Sequence, residues 1–183
     1  MSDAPPRRVL IAEDEALIRL DLKEMLEEEG YAVVGEAGDG EQAIALADSL
    51  RPDLVILDVK MPKVDGIAAA ERIAGDRIAP VVILTAFGQR DLVERAREAG
   101  AMAYLVKPFQ KKDLVPAIEM ATSRFGEIKA LEAEVTDLTR AFNDSSPEDA
   151  AERRRILQEL LGSLGEGTEI RPPFYCDYGY HTH

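Results

Sequence analysis

Five short apolar runs, separated by amphipathic stretches, constrain the fold of this chain more than any other feature. The runs are rich in β-branched and aliphatic residues, and they read VLIA (9–12), AVVGEA (32–37), LVILD (54–58), VVILTA (81–86) and AYLV (103–106). Strands that are apolar on both faces are typical of a parallel sheet covered by helices on both sides. The intervening stretches have helical spacing, and two of them end at glycines, Gly30 and Gly100, which are helix stop signals. The alternation predicts an α/β fold with an open, doubly wound parallel sheet.

Charged and hydroxyl side chains lie where four of the predicted strands end. Glu13 and Asp14 follow the first run, Asp58 ends the third, Thr85 lies near the end of the fourth, and Lys107 follows the fifth. In open α/β sheets, ligands bind beyond the carboxyl ends of the strands. We therefore expect these side chains to meet at one edge of the sheet.

The residue types at this edge indicate a particular chemistry. Crowded carboxylates repel each other, and Mg²⁺, which prefers carboxylate, water and phosphate oxygens, offsets their charge well. Asp58 is placed to act as a nucleophile that forms an acyl phosphate, with Mg²⁺, Lys107 and Thr85 neutralising charge on the phosphoryl oxygens. Taken singly, each residue has an ordinary explanation: Asp14 as a helix cap, Thr85 as a strand residue, Lys107 as a surface charge. Their combination predicts phosphoryl transfer to Asp58.

Residues 8–125 resemble a receiver domain of a two-component response regulator. The segments that carry the resemblance are VLIAEDEALIR, DLVILDVKMPKVDG, VVILTA and AYLVKPF. The resemblance implies a flavodoxin-like (CheY-like) sheet of five parallel strands in the order 2-1-3-4-5, and a sensor histidine kinase as the phosphodonor. It also implies a role for each matching residue: Asp58 as phosphoacceptor, Asp14 as direct Mg²⁺ ligand, Glu13 as an acid that acts through water, Lys60 as a ligand through its backbone carbonyl, Thr85 as switch hydroxyl, Tyr104 as switch aromatic and Lys107 as the lysine that contacts the phosphoryl group.

Charge and cysteine content argue against several classes of protein. The 35 acidic and 22 basic residues give a formal net charge of −13, which repels nucleic-acid phosphates and does not support RNA binding. Cys176 is the single cysteine, so no internal disulfide forms, and we expect a cytoplasmic protein. Without an apolar run of the roughly 20 residues that cross a bilayer, we expect no membrane partner. We also expect no catalysis beyond phosphorylation and dephosphorylation of the chain itself.

A long helix is predicted from Pro116 to Phe142. Its first part, to residue 125, is expected to pack on the sheet, and residues 126–142 form a helical extension. Apolar residues recur in this extension at the spacing of a short coiled-coil seam, at Ile128, Leu131, Val135, Leu138 and Phe142. The pattern favours a homodimer through helix five. Ser146, which precedes a proline, is the predicted N-cap of a further helix.

The C-terminal part carries two more resemblances. SRFGEIKALEAEVTDL resembles the junction between receivers and ANTAR-type RNA-binding modules, which act in transcription antitermination, but no three-helix ANTAR pattern follows residue 140. Residues 139–180 instead resemble a segment near the start of maltose and galactoside O-acetyltransferases, most specifically in RPPFYCDYGY. The alternative functions are thus an antiterminator without its output module and an acetyltransferase-related fusion.

The sequence also predicts where the chain lacks regular structure. Residues 1–7 are expected to form a flexible N-terminus, and residues 143–183 a helix followed by an incomplete acetyltransferase-like tail. Within this tail, residues 165–183 are expected to be poorly ordered, because a single β-helix coil cannot bury its apolar side without stacked neighbours.

Overall fold

The computed structural model describes residues 5–86, 90–165 and 167–175. The chain divides into two compact units, Met1–Phe125 and Gly126–His183. The elements in chain order are β1 (Arg8–Ala12), α1 (Ala16–Glu28), β2 (Ala32–Ala37), α2 (Gly40–Leu50), β3 (Leu54–Asp58), α3 (Gly66–Gly75), β4 (Val81–Ala86), α4 (Arg90–Glu98), β5 (Ala103–Lys107), α5 (Lys111–Asp144) and α6 (Ala150–Leu161). Among these helices, none combines the length and the apolar composition that a bilayer crossing requires.

The five strands form one parallel sheet in the order β2-β1-β3-β4-β5, which confirms the predicted topology. All five residues of β3, the central strand, are buried. Its side chains alternate between the two faces: Val55 and Leu57 join the core cluster on one face, while Ile56 on the other face is also fully buried. Each such buried aliphatic side chain contributes about 1.5–3 kcal/mol of transfer free energy. The sheet is therefore covered on both sides, as the continuous apolar runs predicted.

Two glycines bring the loop between β3 and α3, residues 59–65, close to its neighbours. A Cβ added to Gly66, the first residue of α3, would lie 1.8 Å from the carbonyl oxygen of Asp58. A Cβ added to Gly40, the first residue of α2, would lie 2.1 Å from the carbonyl oxygen of Val64. Only glycine permits backbones to approach this closely. The loop is thus pressed against the end of β3 on one side and the start of α2 on the other.

The long helix begins five residues earlier than predicted. α5 starts at Lys111, so Pro116 lies inside the helix and not at its beginning. Near the start of the helix, the Asp113 carboxylate accepts a hydrogen bond from the backbone amide of Gln110, 3.0 Å away. An acidic side chain at this position stabilises a helix N-terminus because it satisfies a free amide and complements the helix dipole. Pro116 leaves the carbonyl of Lys112 without its usual helical donor, a cost that the helix accommodates.

The second unit has an apolar core of its own. Phe142, from the end of α5, is fully buried together with Ile156 and Leu157 of α6. The residues that pack around these three are Leu138, Leu164, Ile170 and Phe174. Phe142, the last position of the predicted coiled-coil seam, is thus fully buried within its own chain, and Leu138 is partly buried against the same cluster. The seam prediction is wrong at Phe142, and it stays a prediction at Leu138.

Asn143 fixes part of the segment that the sequence analysis expected to be poorly ordered. Its side-chain amide accepts a hydrogen bond from the backbone N–H of Phe174 at 2.7 Å and donates one to the Phe174 carbonyl at 2.8 Å. The Phe174 ring meets Phe142 edge to face, with 6.1 Å between ring centroids. Ile170 and Phe174 therefore have defined contacts, and the poor order of this segment stays a prediction. Residues 176–183, with Cys176, lie outside the described residues.

The N-cap of α6 is Asp149 and not Ser146. The Asp149 carboxylate accepts a hydrogen bond from the backbone amide of Glu152 at 3.1 Å. The Ser146 hydroxyl instead accepts one from Glu148, at 3.3 Å, within the preceding turn. At the other end Gly162 has a φ of 73° and ends the helix as predicted.

We expect Gly66→Ala to lower the free energy of unfolding by about 1–3 kcal/mol, because the new methyl group overlaps the Asp58 carbonyl. Gly75→Ala, in the same helix, is the matched control: a Cβ there meets no atom within 4 Å. Since alanine is the better helix former, this control should be neutral or stabilising by up to about 1 kcal/mol. Urea unfolding measures both values, and equal stability of the two variants would contradict the close approach.

Candidate functional site

Asp58 ends the central strand, and hydrogen-bond donors hold both of its carboxylate oxygens. The residue is only 6% exposed. Its Oδ2 accepts a hydrogen bond from the backbone amide of Lys60 at 3.0 Å, and its Oδ1 lies 2.8 Å from Nζ of Lys107. A carboxylate with two fixed oxygens has a defined orientation at the carboxyl edge of the sheet.

Lys107, at the end of β5, bridges two acids. Its Nζ lies 2.5 Å from Oε2 of Glu13, which follows β1 and is fully buried. Burial raises the pKa of Glu13, although the hydrogen bond from Lys107 opposes this shift. Burial alone would lower the pKa of Lys107, but hydrogen bonds to Asp58 and Glu13 outweigh it and the pKa is raised. The lysine is therefore a charged ammonium that offsets part of the negative charge at the site.

Three carboxylates converge at this edge. Oxygen atoms of Glu13, Asp14 and Asp58 all lie within 4.8 Å of one another, with Asp14 exposed and the other two buried. A cavity of about 230 Å³ opens beside them, and its lining residues are Asp14, Glu15, Asp58, Val59, Lys60, Ala86 and Lys107. Hard oxygen donors around a space that admits water are the donor set that small divalent cations prefer. The residues present fit such an ion.

Thr85 and Tyr104 are not among the described residues that line the cavity beside Asp58. Thr85 is buried in β4, and its hydroxyl makes a long hydrogen bond of 3.4 Å to the carbonyl of Ala86. Ala86, and not Thr85, lines the cavity beside Asp58. Tyr104 in β5 is 52% exposed and lines a different cavity, of about 810 Å³, between residues of α4, β5 and the first half of α5. The structure brings Thr85 to the edge of the site and leaves Tyr104 apart from it.

Two supporting residues were missed by the sequence analysis. Arg19, in the first turn of α1, donates a hydrogen bond to the carbonyl of Glu13 and so ties the acidic turn to the helix that follows it. Lys63, in the β3–α3 loop, forms an ion pair with Asp39 at the start of α2. Helical spacing places Arg19 on α1, but no signal in the sequence shows which carbonyl or carboxylate these cations contact.

Two family models match the chain. One, described as a response regulator receiver domain, matches residues 9–119, and the other, described as a maltose acetyltransferase hexapeptide capping motif, matches residues 126–165. The second match overlaps the predicted acetyltransferase-like segment and begins before it.

Curated and solved proteins show the same similarity. The chain is 63% identical to the transcriptional regulatory protein PdtaR of Mycobacterium tuberculosis over 161 residues, which cover 88% of this chain and 74% of that protein. It is 40% identical to the chemotaxis protein CheY of Thermotoga maritima over 113 residues, 61% of this chain and 94% of that one. The solved signal receiver domain of a modulated diguanylate cyclase from Desulfovibrio desulfuricans G20 has a TM-score of 0.62 and 33% identity, over 66% of this chain and 97% of that one.

Proposed function

This chain belongs to the response regulator receiver family of two-component signalling, and from that premise we propose that Asp58 accepts a phosphoryl group from a sensor histidine kinase. The observation that carries the proposal is the Asp58 carboxylate itself. It is buried at the end of the central strand, both of its oxygens are held by donors, and it lines a cavity of about 230 Å³. A nucleophile needs this combination of fixed orientation and access.

The proposed transfer is a single displacement at phosphorus. A carboxylate oxygen of Asp58 forms a bond to phosphorus while the phosphorus–nitrogen bond of the kinase phosphohistidine breaks. The electron pair of that bond stays on the imidazole nitrogen, and the product on this chain is an aspartyl phosphate. Negative charge on the phosphoryl oxygens is the main electrostatic demand of such a reaction. The Lys107 ammonium, 2.8 Å from Asp58, is placed to meet it.

Mg²⁺ is the cofactor that the oxygen donors at this edge suit best. We assign Asp14 as its direct ligand together with Asp58 and the Lys60 carbonyl, and Glu13 as an acid that acts through water. The surroundings of the two neighbouring acids support this assignment of direct and water-mediated roles. Asp14 is exposed, whereas both Glu13 oxygens already accept hydrogen bonds, from Lys107 and from the amide of Glu15. When bound, the ion supplies positive charge that favours phosphoryl transfer.

Phosphorylation is proposed to change the surface formed by α4, β5 and α5. The phosphoryl group adds acceptor oxygens that draw the Thr85 hydroxyl towards Asp58, and Tyr104 then turns towards the vacated space. Thr85 and Tyr104 lie on the paired strands β4 and β5, where Thr85 is opposite Val106. The exposed Tyr104 ring beside a cavity of about 810 Å³ supports this proposal, because it has room to move.

The output of the chain is proposed to be regulatory and not enzymatic, in the cytoplasm. Similarity to a protein named as a transcriptional regulator favours an output in transcription, of which ANTAR-type antitermination is one form. The net charge of −13 weighs against direct RNA binding. The match to the acetyltransferase capping motif supports an acetyltransferase-related origin for residues 126–165, and we expect no turnover of acetyl-CoA.

We expect Asp58→Asn to abolish labelling by a small phosphodonor such as phosphoramidate, because the amide is not a nucleophile. Asp65→Asn is the control: Asp65 caps α3, a role that asparagine fills equally well, so this variant should be labelled like the wild type. Phosphorus-31 NMR or mass spectrometry follows the acyl phosphate. Labelling of Asp58→Asn at the wild-type rate would identify another acceptor.

The two neighbouring acids should differ in their effect on Mg²⁺ affinity. Loss of an acid that acts through water typically costs about tenfold or more, so Glu13→Ala should weaken binding by about tenfold and Asp14→Ala by more. Glu15→Ala, which removes an exposed carboxylate at the rim of the cavity, should have the smallest effect. Isothermal titration with Mg²⁺ gives the three affinities, and the reverse ranking of Glu13 and Asp14 would exchange their roles.

A beryllofluoride mimic of the phosphoryl group should shift the chain partly towards a dimer that uses the face of α4, β5 and α5. The shift is partial because a swing from 1:99 to 99:1 needs about 5.5 kcal/mol of differential binding, more than a few charge-assisted contacts supply. Sedimentation equilibrium should show the shift in the wild type and in Thr85→Ser, which keeps the hydroxyl. Thr85→Ala should lose it. Equal monomer–dimer dissociation constants for the wild type and both variants, with and without the mimic, would contradict the coupling between the phosphoryl site and dimer formation.

A further inference from the structure

The β3–α3 loop is held at its far end by an ion pair outside the cavity beside Asp58. Nζ of Lys63 lies 2.8 Å from Oδ2 of Asp39 and 3.6 Å from Oε2 of Glu41. The Asp39 side chain is only 6% exposed, whereas those of Lys63 and Glu41 are 55% and 71% exposed. Lys63 therefore reaches from the loop to a buried carboxylate at the start of α2.

Asp39 is fixed independently of Lys63. It is the N-cap of α2, and its Oδ1 accepts a hydrogen bond from the backbone amide of Gln42 at 2.8 Å. Its backbone carbonyl accepts a hydrogen bond from the amide of Ala43 at 3.0 Å, the first hydrogen bond of the helix, as is usual for an N-cap residue. The hydrogen bond from Lys63 lowers the pKa of the Asp39 carboxyl, so this group is charged near neutral pH. Asp39 is thus held in place by α2, and Lys63 attaches the loop to it.

The loop holds a backbone conformation that lysine does not favour. Lys63 has a φ of 65°, in the left-handed region that non-glycine residues rarely occupy. The next amide, that of Val64, donates to the carbonyl of Pro62 at 2.9 Å in a tight turn. An attraction between the side chain and Asp39 helps to offset the cost of this conformation.

The other end of the same loop touches the phosphoacceptor. The backbone amide of Lys60 donates to Oδ2 of Asp58 at 3.0 Å. Only Met61 and Pro62 separate Lys60 from Lys63; Met61 is buried, with 8% of the residue exposed, and proline fixes its own φ. The connection between the Lys63 ion pair and the Lys60 amide is therefore short and constrained.

We propose that Lys63 and Asp39 are positioning residues for the phosphoacceptor, because their ion pair keeps the β3–α3 loop where the Lys60 amide meets Asp58. The described residues that line the cavity beside Asp58 do not include Lys63 or Asp39, so the pair would act through the loop and not by contact. The effect on reaction rate rests on the proposed function of Asp58, whereas the effect on the Lys60 amide does not.

A double-mutant cycle tests the pair. Lys63→Met keeps the aliphatic stem and removes the charge, and Asp39→Asn removes the charge but keeps an N-cap, since asparagine caps as well as aspartate. Each single variant should slow labelling by phosphoramidate roughly three- to tenfold, the effect expected when one hydrogen bond of ordinary strength is lost. The double variant should be no slower than either single one, and Lys63→Arg should recover most of the rate. Glu41→Gln is the matched control, and its rate should stay near the wild-type value.

The position of the Lys60 amide is measured directly by proton–nitrogen NMR. Its resonance should move in Lys63→Met and in Asp39→Asn, and should return in Lys63→Arg. Urea unfolding identifies conditions in which every variant is folded. Wild-type rates with an unmoved Lys60 resonance in both single variants, or single effects that multiply in the double variant, would overturn the inference. If the wild type is not labelled at Asp58, the proposed function fails, and the Lys60 resonance alone then decides the role of the pair.

Discussion

The arrangement of the site depends on one interaction, that of the Lys107 ammonium with the carboxylates of Glu13 and Asp58. The three residues follow or end three different strands, β5, β1 and β3, so the contact links positions across the width of the sheet. Burial of two carboxylates and an ammonium costs desolvation free energy that their attraction only partly returns. Such a cluster contributes more to position than to stability. It leaves Asp58 with a fixed orientation, and it leaves the cluster with excess negative charge that a divalent cation is suited to offset.

The sheet and its acidic edge could be predicted well from the sequence, because both follow from local sequence patterns and from the geometry of a parallel sheet. Apolar runs at both faces identify buried parallel strands, and the carboxyl ends of such strands must share an edge. Asp58 and Lys107 could be assigned to the site from these two facts. Thr85 was assigned to the same edge, but the pleat of β4 decides which side chain lines a cavity, and there Ala86 takes that place.

The predictions that failed concern competition between equally good local signals. Ser146 and Asp149 are both good N-caps, and the backbone turn between them decides in favour of Asp149. A heptad pattern predicts that an apolar stripe is buried, but it does not identify the chain that buries it. Here Phe142 and Leu138 pack with residues of α6 from the same chain. Contacts such as that of Lys63 with Asp39, 24 positions apart in the numbering, leave no periodic trace. Such contacts can be identified only from the three-dimensional structure.

The small core around Phe142 has an evolutionary consequence. Because Phe142, Ile156 and Leu157 bury one another, with Asn143 attaching Phe174 to the same cluster, residues 126–175 enclose apolar surface of their own. All the residues of this core belong to the second unit. A different C-terminal segment with a core of its own can therefore follow the same receiver sheet in a related chain.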